Sequence, residues 1–393
     1  MKMSGKNNRI NNIKRVKVSK LIRTAVEEQK NPKRIMRFFK YCLMARSKGV
    51  VDFRWERIAS EYCYDDFEFP DVNQKTKDYF HARGYTTNKI SWFGMNKENM
   101  DDYLSDFELY NVKAYVNPRV YWFDDKLNTY YLLKNFDSNI PKHYYWLDGQ
   151  KAYPLDSVEN RVVAKGDAVR QLLEKKDIAA KACKGGHGAG FLKLSKKDGK
   201  YFINNVETTE EHLNETIKAL SNYIITDYIY PHKDFVKLCG DDAYTVIRVL
   251  AVFDPDDGPQ ITSMNIRLGC KAAGVVTGYA GCIYAGVDLE TGEIFKPLYR
   301  PFDHEYKHVP CEFHPDTGLK IEGTVVPNYD KLKELVKAIS AYMPFSPYLM
   351  MDIIPSDEEF YVLEINSHGQ PITMEPYYPF KKNKYNKKVF HID

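Results

Sequence analysis

No apolar run in this 393-residue chain is long enough to span a bilayer, which argues against a transmembrane helix. The basic, polar start does not resemble a signal peptide. No CxxC pair occurs among the seven cysteines (42, 63, 183, 239, 270, 282 and 311), and their number is odd. That pattern argues against a zinc or disulfide framework and for reduced thiols in a cytosolic protein. There is no internal repeat, and the only low-complexity stretches are the lysine-rich ends. Neither a Walker loop nor a dinucleotide fingerprint is present, because no helix follows the one glycine-rich stretch directly. Acids are scarce at the start. From Lys2 to Lys40 a run of lysines and arginines is opposed only by Glu27 and Glu28.

What is present points to a polar, globular chain with room for about two or three domains and a sizeable core. Charged residues make up 28%, mean hydropathy is −0.52, and net charge is only +4. The 30 tyrosines read first as half-buried packing groups and second as rings for a polar ligand such as a sugar. Residues 11–47 read as one or two helices interrupted near Asn31-Pro32. Ile22, Ala25, Val26, Ile35, Phe38, Phe39, Leu43 and Met44 recur at roughly helical spacing. Three readings of this basic arm compete: a solvated end, an anionic membrane surface, or nucleic acid. The first is the default. Of the other two the membrane surface is preferred, and nucleic acid is set aside. The stripe could equally pack on the body of the protein.

The most informative stretch is Pro347–Gly369, PYLMMDIIPSDEEFYVLEINSHG. Tyr348–Ile354 and Tyr361–Ile365 read as the strands of a hairpin turned by Pro355, Ser356 and Asp357. With a loop of Ser356–Phe360, Asp352 stands opposite Glu364. A loop one residue shorter would set it opposite Leu363. Glu364 and Asn366 share a face, and in the first register Asp352 joins them. Two carboxylates paired across a ladder repel unless a cation lies between them. Two carboxylates and an amide oxygen, with room for water and phosphate, describe a Mg²⁺ site that expects a nucleotide. The competing reading is a solvent-facing polar stripe.

Upstream, Asp124 or Asp125 can cap a helix running through Leu133, with Lys126 in its first turn. A helix at Asp167–Lys175 leads into the strand Ile178–Cys183, then KGGHGAG (Lys184–Gly190), then the strand Phe191–Leu194. Gly185, Gly186 and Gly188 would let the backbone present N–H groups to phosphate oxygens, and Lys181 could reach the same phosphates. A plain flexible turn is the commoner meaning of such a loop, and His187 reads as a bystander. Tyr223–Tyr230 reads as a buried strand with Asp227 near its end, either a hinge that reads an adenine edge or a core strand with an outward acid. Tyr244–Phe253 and Ile261–Leu268 read as strands with one arginine each, Arg248 and Arg267. These are either solvated or paired, or else neutralise a polyphosphate and an acyl phosphate. Gly269–Gly286 reads as loops, Asn328–Ala341 as a helix, and Lys381–Lys388 as a basic tail.

Together these residues resemble the ATP-grasp superfamily, in particular its sugar-transfer-associated branch from polysaccharide gene clusters. The resemblance spans roughly Tyr121 to Pro376. It implies an α+β, ATP-grasp fold: two α+β lobes clamping ATP, with a helical basic N-terminal region. The expected divisions are 1–50 (basic arm), 51–120 (pre-ATP-grasp region), 121–228 (lobe with the glycine-rich loop) and 229–393 (C-terminal lobe with the metal site and basic tail). It implies Asp352, Glu364 and Asn366 on Mg²⁺. It implies Lys126, Lys181, Gly185, Gly186, Gly188 and Asp227 on ATP, with Arg248 and Arg267 catalytic. Ala182 replaces the usual proline, and His368 and Gln370 replace the arginine region after Asn366. The implied activity is that of a ligase joining a small-molecule or glycan carboxylate to an amine through an acyl phosphate, cytoplasmic or peripheral at the inner membrane face. A kinase and a non-catalytic membrane- or nucleic-acid-binding module are the alternatives.

Overall fold

The computed structural model describes residues 32–50, 54–69, 72–117, 122–123, 125–155, 161–185, 190–241, 243–271, 281–301 and 308–392. The chain divides into two units, Met1–Ala114 and Tyr115–Asp393.

The first unit is helical. α1 (Pro32–Ser47) begins on the proline, whose missing N–H costs nothing at a first helical position. It buries Phe38, Tyr41, Cys42 and Ala45, one face at 3.6-residue spacing. That face packs with Ile58, Ala59, Tyr62 and Cys63 of α2 (Trp55–Glu68), and with Phe107 and Tyr110 of α5 (Asp106–Val116). Residues 32–47 and 55–63 therefore share one core across the boundary expected at residue 50. Of the expected stripe, Phe39 and Leu43 are exposed; Ile22, Ala25 and Val26 lie outside the described residues. α3 (Gln74–His81) is capped by Asn73, whose side chain accepts from the Thr76 N–H at 2.9 Å. α4 (Asn88–Phe93) follows. Buried Asp65 ties these helices together. It accepts from the Thr87 N–H at 2.6 Å and lies 2.7 Å from His81 Nε2, whose Nδ1 is 3.1 Å from the Tyr41 hydroxyl.

The second unit holds two antiparallel sheets. α6 (Lys126–Leu132) precedes the first, whose strands are β1 (His143–Asp148), β2 (Lys151–Pro154), β3 (Val163–Ala164), β4 (Ile178–Ala182), β5 (Leu192–Lys197), β6 (Lys200–Ile203), β7 (Val206–Thr208) and β8 (Tyr223–Asp227). They lie in the order β3-β2-β1-β8-β4-β5-β6-β7. One face is covered by α7 (Lys165–Leu173) and α8 (Glu210–Ala219), which bury Ala168, Val169, Leu213 and Ile217 against Ile178, Ala180, Leu194 and Ile225. Strand alternation then places Ala179 and Lys181 on the opposite face, with their cross-strand partners Thr226, Ile224 and Lys193.

The second sheet, in the order β13-β12-β11-β10-β9-β14-β15, comprises β9 (Thr245–Asp254), β10 (Gly258–Gly269), β11 (Cys282–Val287), β12 (Ile294–Arg300), β13 (Val309–Pro310), β14 (Tyr348–Pro355) and β15 (Phe360–Asn366). α9 (Lys233–Cys239) and α10 (Tyr329–Tyr342) cover one face. Phe235, Leu332, Val336 and Ile339 pack there against Ile247, Val249, Ile266, Leu349 and Met351. Each sheet thus has one face covered by a pair of helices, and its other face carries the charged residues described below.

Two expected elements differ. Cys282–Val287 is a wholly buried strand rather than loop, because its apolar side chains fill the centre of the second sheet. The lysine-rich end is not a tail. It forms α11 (Lys384–Phe390), whose Phe390 ring lies 4.8 Å from that of Phe380 and 5.3 Å from that of Tyr348. Lys388 Nζ lies 2.7 Å from Asp254 and 2.8 Å from Asp256, and Tyr385 donates to Asp257 at 2.8 Å. The acidic β9–β10 turn thus neutralises charge that reads as solvated. All seven cysteines are free, and burial pushes the Cys183 thiol up to about 12.

Lys165 is a structural cation. Its ammonium donates to the carbonyls of Gly149 (2.7 Å), Lys218 (2.9 Å) and Leu220 (2.6 Å), closing the C-terminal end of α8 onto the β1–β2 turn. Substituting Lys165→Met leaves three inward carbonyls without that donor. Urea denaturation should show a loss of roughly 3 kcal/mol; a change under about 0.5 kcal/mol would refute the role.

Candidate active site

The site is built on a cross-strand row on the polar face of the second sheet. Gly286 of β11 pairs with Asn265 of β10, Asn265 with Arg248 of β9, Arg248 with Asp352 of β14, and Asp352 with Glu364 of β15. Directly paired residues share a face, so an amide, a guanidinium and two carboxylates stand in line. The Asp352–Glu364 pairing arises by a route different from the expected one. The hairpin loop is one residue shorter, with Pro355 opposite Phe360 and Ile353 opposite Val362. A β-bulge between Asp352 and Ile353 then leaves Leu363 without an opposite number and restores Asp352 to Glu364.

Asp352 is buried and held by arginines. Arg248 donates through Nε and Nη2 to its two oxygens, both at 2.7 Å, and Arg267 Nη2 lies 3.0 Å from Oδ2. Burial pushes the Asp352 carboxyl up, but Arg248 and Arg267 outweigh it and hold it well below the usual carboxylate range. Arg248 and Arg267 thus stand against an internal carboxylate first. The acidic pair thus has a protein counter-charge. A fork–fork Arg–carboxylate pair leaves Arg248 Nη1 for another ligand.

Glu364 is placed differently. Among the described residues its carboxylate makes no hydrogen bond or ion pair, and neither does the Asn366 side chain. Burial raises the Glu364 carboxyl, Lys126 opposes that, Asp352 adds to it, and Arg248 and Lys181 oppose it. Glu364 therefore lies in the field of Lys126 and Lys181 from the first half of the unit and of Arg248 and Asp352 from the second. Lys181 is half-buried on β4. Desolvation and the Lys126 charge bring its ammonium down to about 8 against the pull of Glu364. Lys126 opens α6, capped by Asp125, which accepts from the Leu127 N–H at 3.0 Å. The Lys126 ammonium donates to the Gly185 carbonyl at 2.9 Å, at the start of the glycine-rich loop. Gly186, His187 and Gly188 lie outside the described residues.

Asp227 ends β8 and accepts from the Tyr144 hydroxyl and from Lys176 Nζ, both at 2.9 Å. His368 lies two residues past Asn366, beyond the end of β15. Two further residues bear on the site. Buried Asn117 donates through Nδ2 to the carbonyls of Tyr348 and Ser367, both at 2.5 Å. It pins together the open end of the hairpin that carries Asp352, Glu364 and Asn366. Lys193, on the Lys181 face, lies 4.4 and 4.9 Å over the rings of Tyr228 and Tyr230 just past β8. Nothing in the sequence marks Asn117, whose partners are more than two hundred positions away. Lys193 was readable only as an alternating strand position.

The hard-oxygen set fits a magnesium ion. Glu364 and Asn366 present oxygens without protein partners, and Asp352 keeps one of its roughly four lone-pair positions.

The sequence matches the family described as sugar-transfer associated ATP-grasp over residues 108–376, more than half of the chain. No curated protein matches. Among solved structures, similarity extends to a D-alanine–D-alanine ligase from Bacillus anthracis (13% identity, TM-score 0.35, covering 68% of this chain and 65% of that one). It extends also to D-alanyl-alanine synthetase A from Vibrio cholerae O1 biovar eltor (11%, TM-score 0.39, 69% and 65%). A third is an ADP complex of an N5-carboxyaminoimidazole ribonucleotide synthetase (8%, TM-score 0.34, 63% and 45%). The chain spans less than two-thirds of the length of each of these. The match over more than half of the chain shows that it belongs to the sugar-transfer associated ATP-grasp family.

Proposed function

We propose that the protein is an ATP-dependent carboxylate–amine ligase acting in polysaccharide modification or a related biosynthetic pathway. The observation that carries this reading is Glu364: a half-buried carboxylate with no hydrogen-bond or ion-pair partner among the described residues, set between Lys126 and Lys181 on one side and Asp352 and Arg248 on the other. Such a group is costly unless a ligand completes it. Glu364, Asn366 and the remaining lone pair of Asp352 would hold Mg²⁺, which supplies charge neutralisation at the ATP phosphates.

Phosphoryl transfer leaves a protein mainly positioning and charge to provide. In this reading Lys126, Lys181 and the backbone N–H groups of Gly185, Gly186 and Gly188 bind the phosphates, and residues at Asp227 face the adenine edge. A substrate carboxylate oxygen attacks Pγ, the bond between Pγ and the β–γ bridging oxygen breaks, and ADP leaves with the electron pair. The amine then attacks the carbonyl carbon of the acyl phosphate, and phosphate departs as the amide forms. Arg267, with Nη1 of Arg248, stabilises the oxyanion of that step. On this reading residues 121–228 and 229–393 are the two lobes that close on ATP.

Among the described residues no helix is long and apolar enough to cross a membrane. We place the enzyme in the cytoplasm, with the basic arm available to the anionic inner leaflet.

The test is isotopic. With the substrate carboxylate labelled in ¹⁸O, a ligase passes one label into the released phosphate. An ATP-grasp kinase acting on a hydroxyl passes none. ADP release without label transfer would replace the ligase reading by the kinase.

A further inference from the structure

α1 has two apolar faces, and the first unit covers one of them. Phe38, Tyr41, Cys42 and Ala45 point into the core of that unit. Met36, Phe39 and Leu43 lie on the outer side, within a sector of about 60° at 3.6 residues per turn. They are 67%, 37% and 64% exposed. Single exposed apolar side chains are ordinary. Three in register along one helix form a ridge.

The charge beside this ridge is of one sign. α1 carries Lys33, Arg34, Arg37, Lys40 and Arg46 and no acid. Helical spacing puts Lys33 and Lys40 on one flank of the ridge and Arg46 on the other. Among the described side chains, the acids of neighbouring helices are engaged or lie on the covered side. Asp65 and Asp106 are buried with His81 and Lys89. Glu61 of α2 pairs with Arg57 at 2.9 Å, and Glu56 acts on the Cys42 thiol. Asp78 of α3 pairs with Lys40 at 3.3 Å, with both side chains exposed, and such a pair is exchanged at little cost. The sequence ahead of α1 continues the same sign with Lys14, Arg15, Lys17, Lys20, Arg23 and Lys30 against Glu27 and Glu28.

A second copy of this helix is a poor occupant, because two such faces bring basic rows together with no acid between them. A protein partner would need a groove shaped to the ridge. A lipid surface accepts protruding side chains without one, and lysine and arginine stems reach back to anionic headgroups.

We infer that the outer face of α1 is a membrane-contact surface. Met36, Phe39 and Leu43 enter the headgroup–acyl boundary of an anionic leaflet, and Lys33, Lys40 and Arg46 take its headgroups. This rests on the leaflet placement proposed above and adds an apolar contact that charge attraction alone does not require.

The test is flotation of the full chain with vesicles of phosphatidylcholine and of equimolar phosphatidylcholine and phosphatidylglycerol. The parent should bind the anionic vesicles more tightly by about ten-fold or more. Met36→Gln/Leu43→Gln keeps good helix formers at both positions. It should lose about ten-fold or more in binding to anionic vesicles, with thermal unfolding and ATP-analogue affinity matching the parent's. If the double variant unfolds earlier, Met36→Gln alone decides, with a loss of about three-fold expected. The inference is overturned if the variant binds as the parent does, whether charge alone holds the protein or residues 1–31 cover the ridge; the leaflet placement then stands. A parent that binds neither vesicle, or both equally, removes the leaflet placement and this inference together. Poly-L-glutamate is the third arm. If it binds the parent about ten-fold more tightly than the variant and vesicles do not compete, the face belongs to an acidic protein and the inference falls.

Discussion

Asp352→Asn should cost stability and activity together. The substitution keeps the size of the side chain and removes the charge that receives three donor atoms from Arg248 and Arg267. Breaking one side of a buried ion pair leaves uncompensated charge, typically at about 3–5 kcal/mol. Because asparagine retains one acceptor oxygen, a loss of roughly 2–4 kcal/mol is expected in urea denaturation. ADP release should fall by about two orders of magnitude or more, since both arginines would be free to swing from their positions. The acid limb of stability should change too. The folded Asp352 carboxyl lies below its ordinary value of 3.8. Its contribution is therefore fully present above that pH and is lost as pH falls through the folded value. That part of the acid unfolding should be absent from the variant. Adding Arg267→Met should recover part of the loss, because it removes one of the two stranded cations. A single variant as stable as the parent would mean that the guanidiniums are satisfied elsewhere.

How far the residues announced this site depends on where their partners lie. The Asp352–Glu364 pairing was legible because alternation along a hairpin is a local property. It was reached through a loop too long by one residue, which the bulge at Leu363 compensates. The bulge leaves no local signature in the strand Tyr361–Ile365. Arg248 and Arg267 were recognisable as strand arginines, but their binding to Asp352 was not. A guanidinium suits a phosphate or a carboxylate equally, and the deciding partner lies a hundred positions downstream. The same distance hid the pairing of Lys388 and Lys384 with the Asp254–Asp257 turn, so an ordered helix read as a solvated tail. Asn139-Ile140-Pro141 marks the start of an extended segment, which is β1, whereas α9 gives no signal because seven residues after Pro231 are too few to show a period. The ATP-grasp fold itself was readable because its motifs are local: a capped Lys126, a glycine-rich loop between strands, and the acidic hairpin.

Lys181→Met is expected to make the ligand-free protein more stable while removing its affinity for ATP. In the folded protein, desolvation and Lys126 bring the Lys181 ammonium from its ordinary 10.5 down to about 8, with only Glu364 pulling the other way. A group that holds its proton less tightly when folded opposes folding at every pH below its folded value. The sign follows from linkage: between about 8 and 10.5 the unfolded chain binds the extra proton, so stability rises with pH across that window. Below it the full penalty applies, as much as about 3 kcal/mol for a shift of this size. Methionine fills the same space without charge. Denaturation at pH 7 should therefore show a gain of roughly 1–3 kcal/mol, reduced because Glu364 loses an attractive neighbour. The window of rising stability above pH 8 should flatten in the variant. ATP supplies what the ligand-free site lacks: triphosphate charge returns the lysine toward its ordinary value, and binding is coupled to proton uptake above pH 8. Calorimetry of the parent with an ATP analogue in two buffers of different ionisation heat should detect that uptake at pH 8.5, and the variant should show neither uptake nor binding. A less stable Lys181→Met variant that still bound the analogue would place this lysine in the scaffold and remove it from the site.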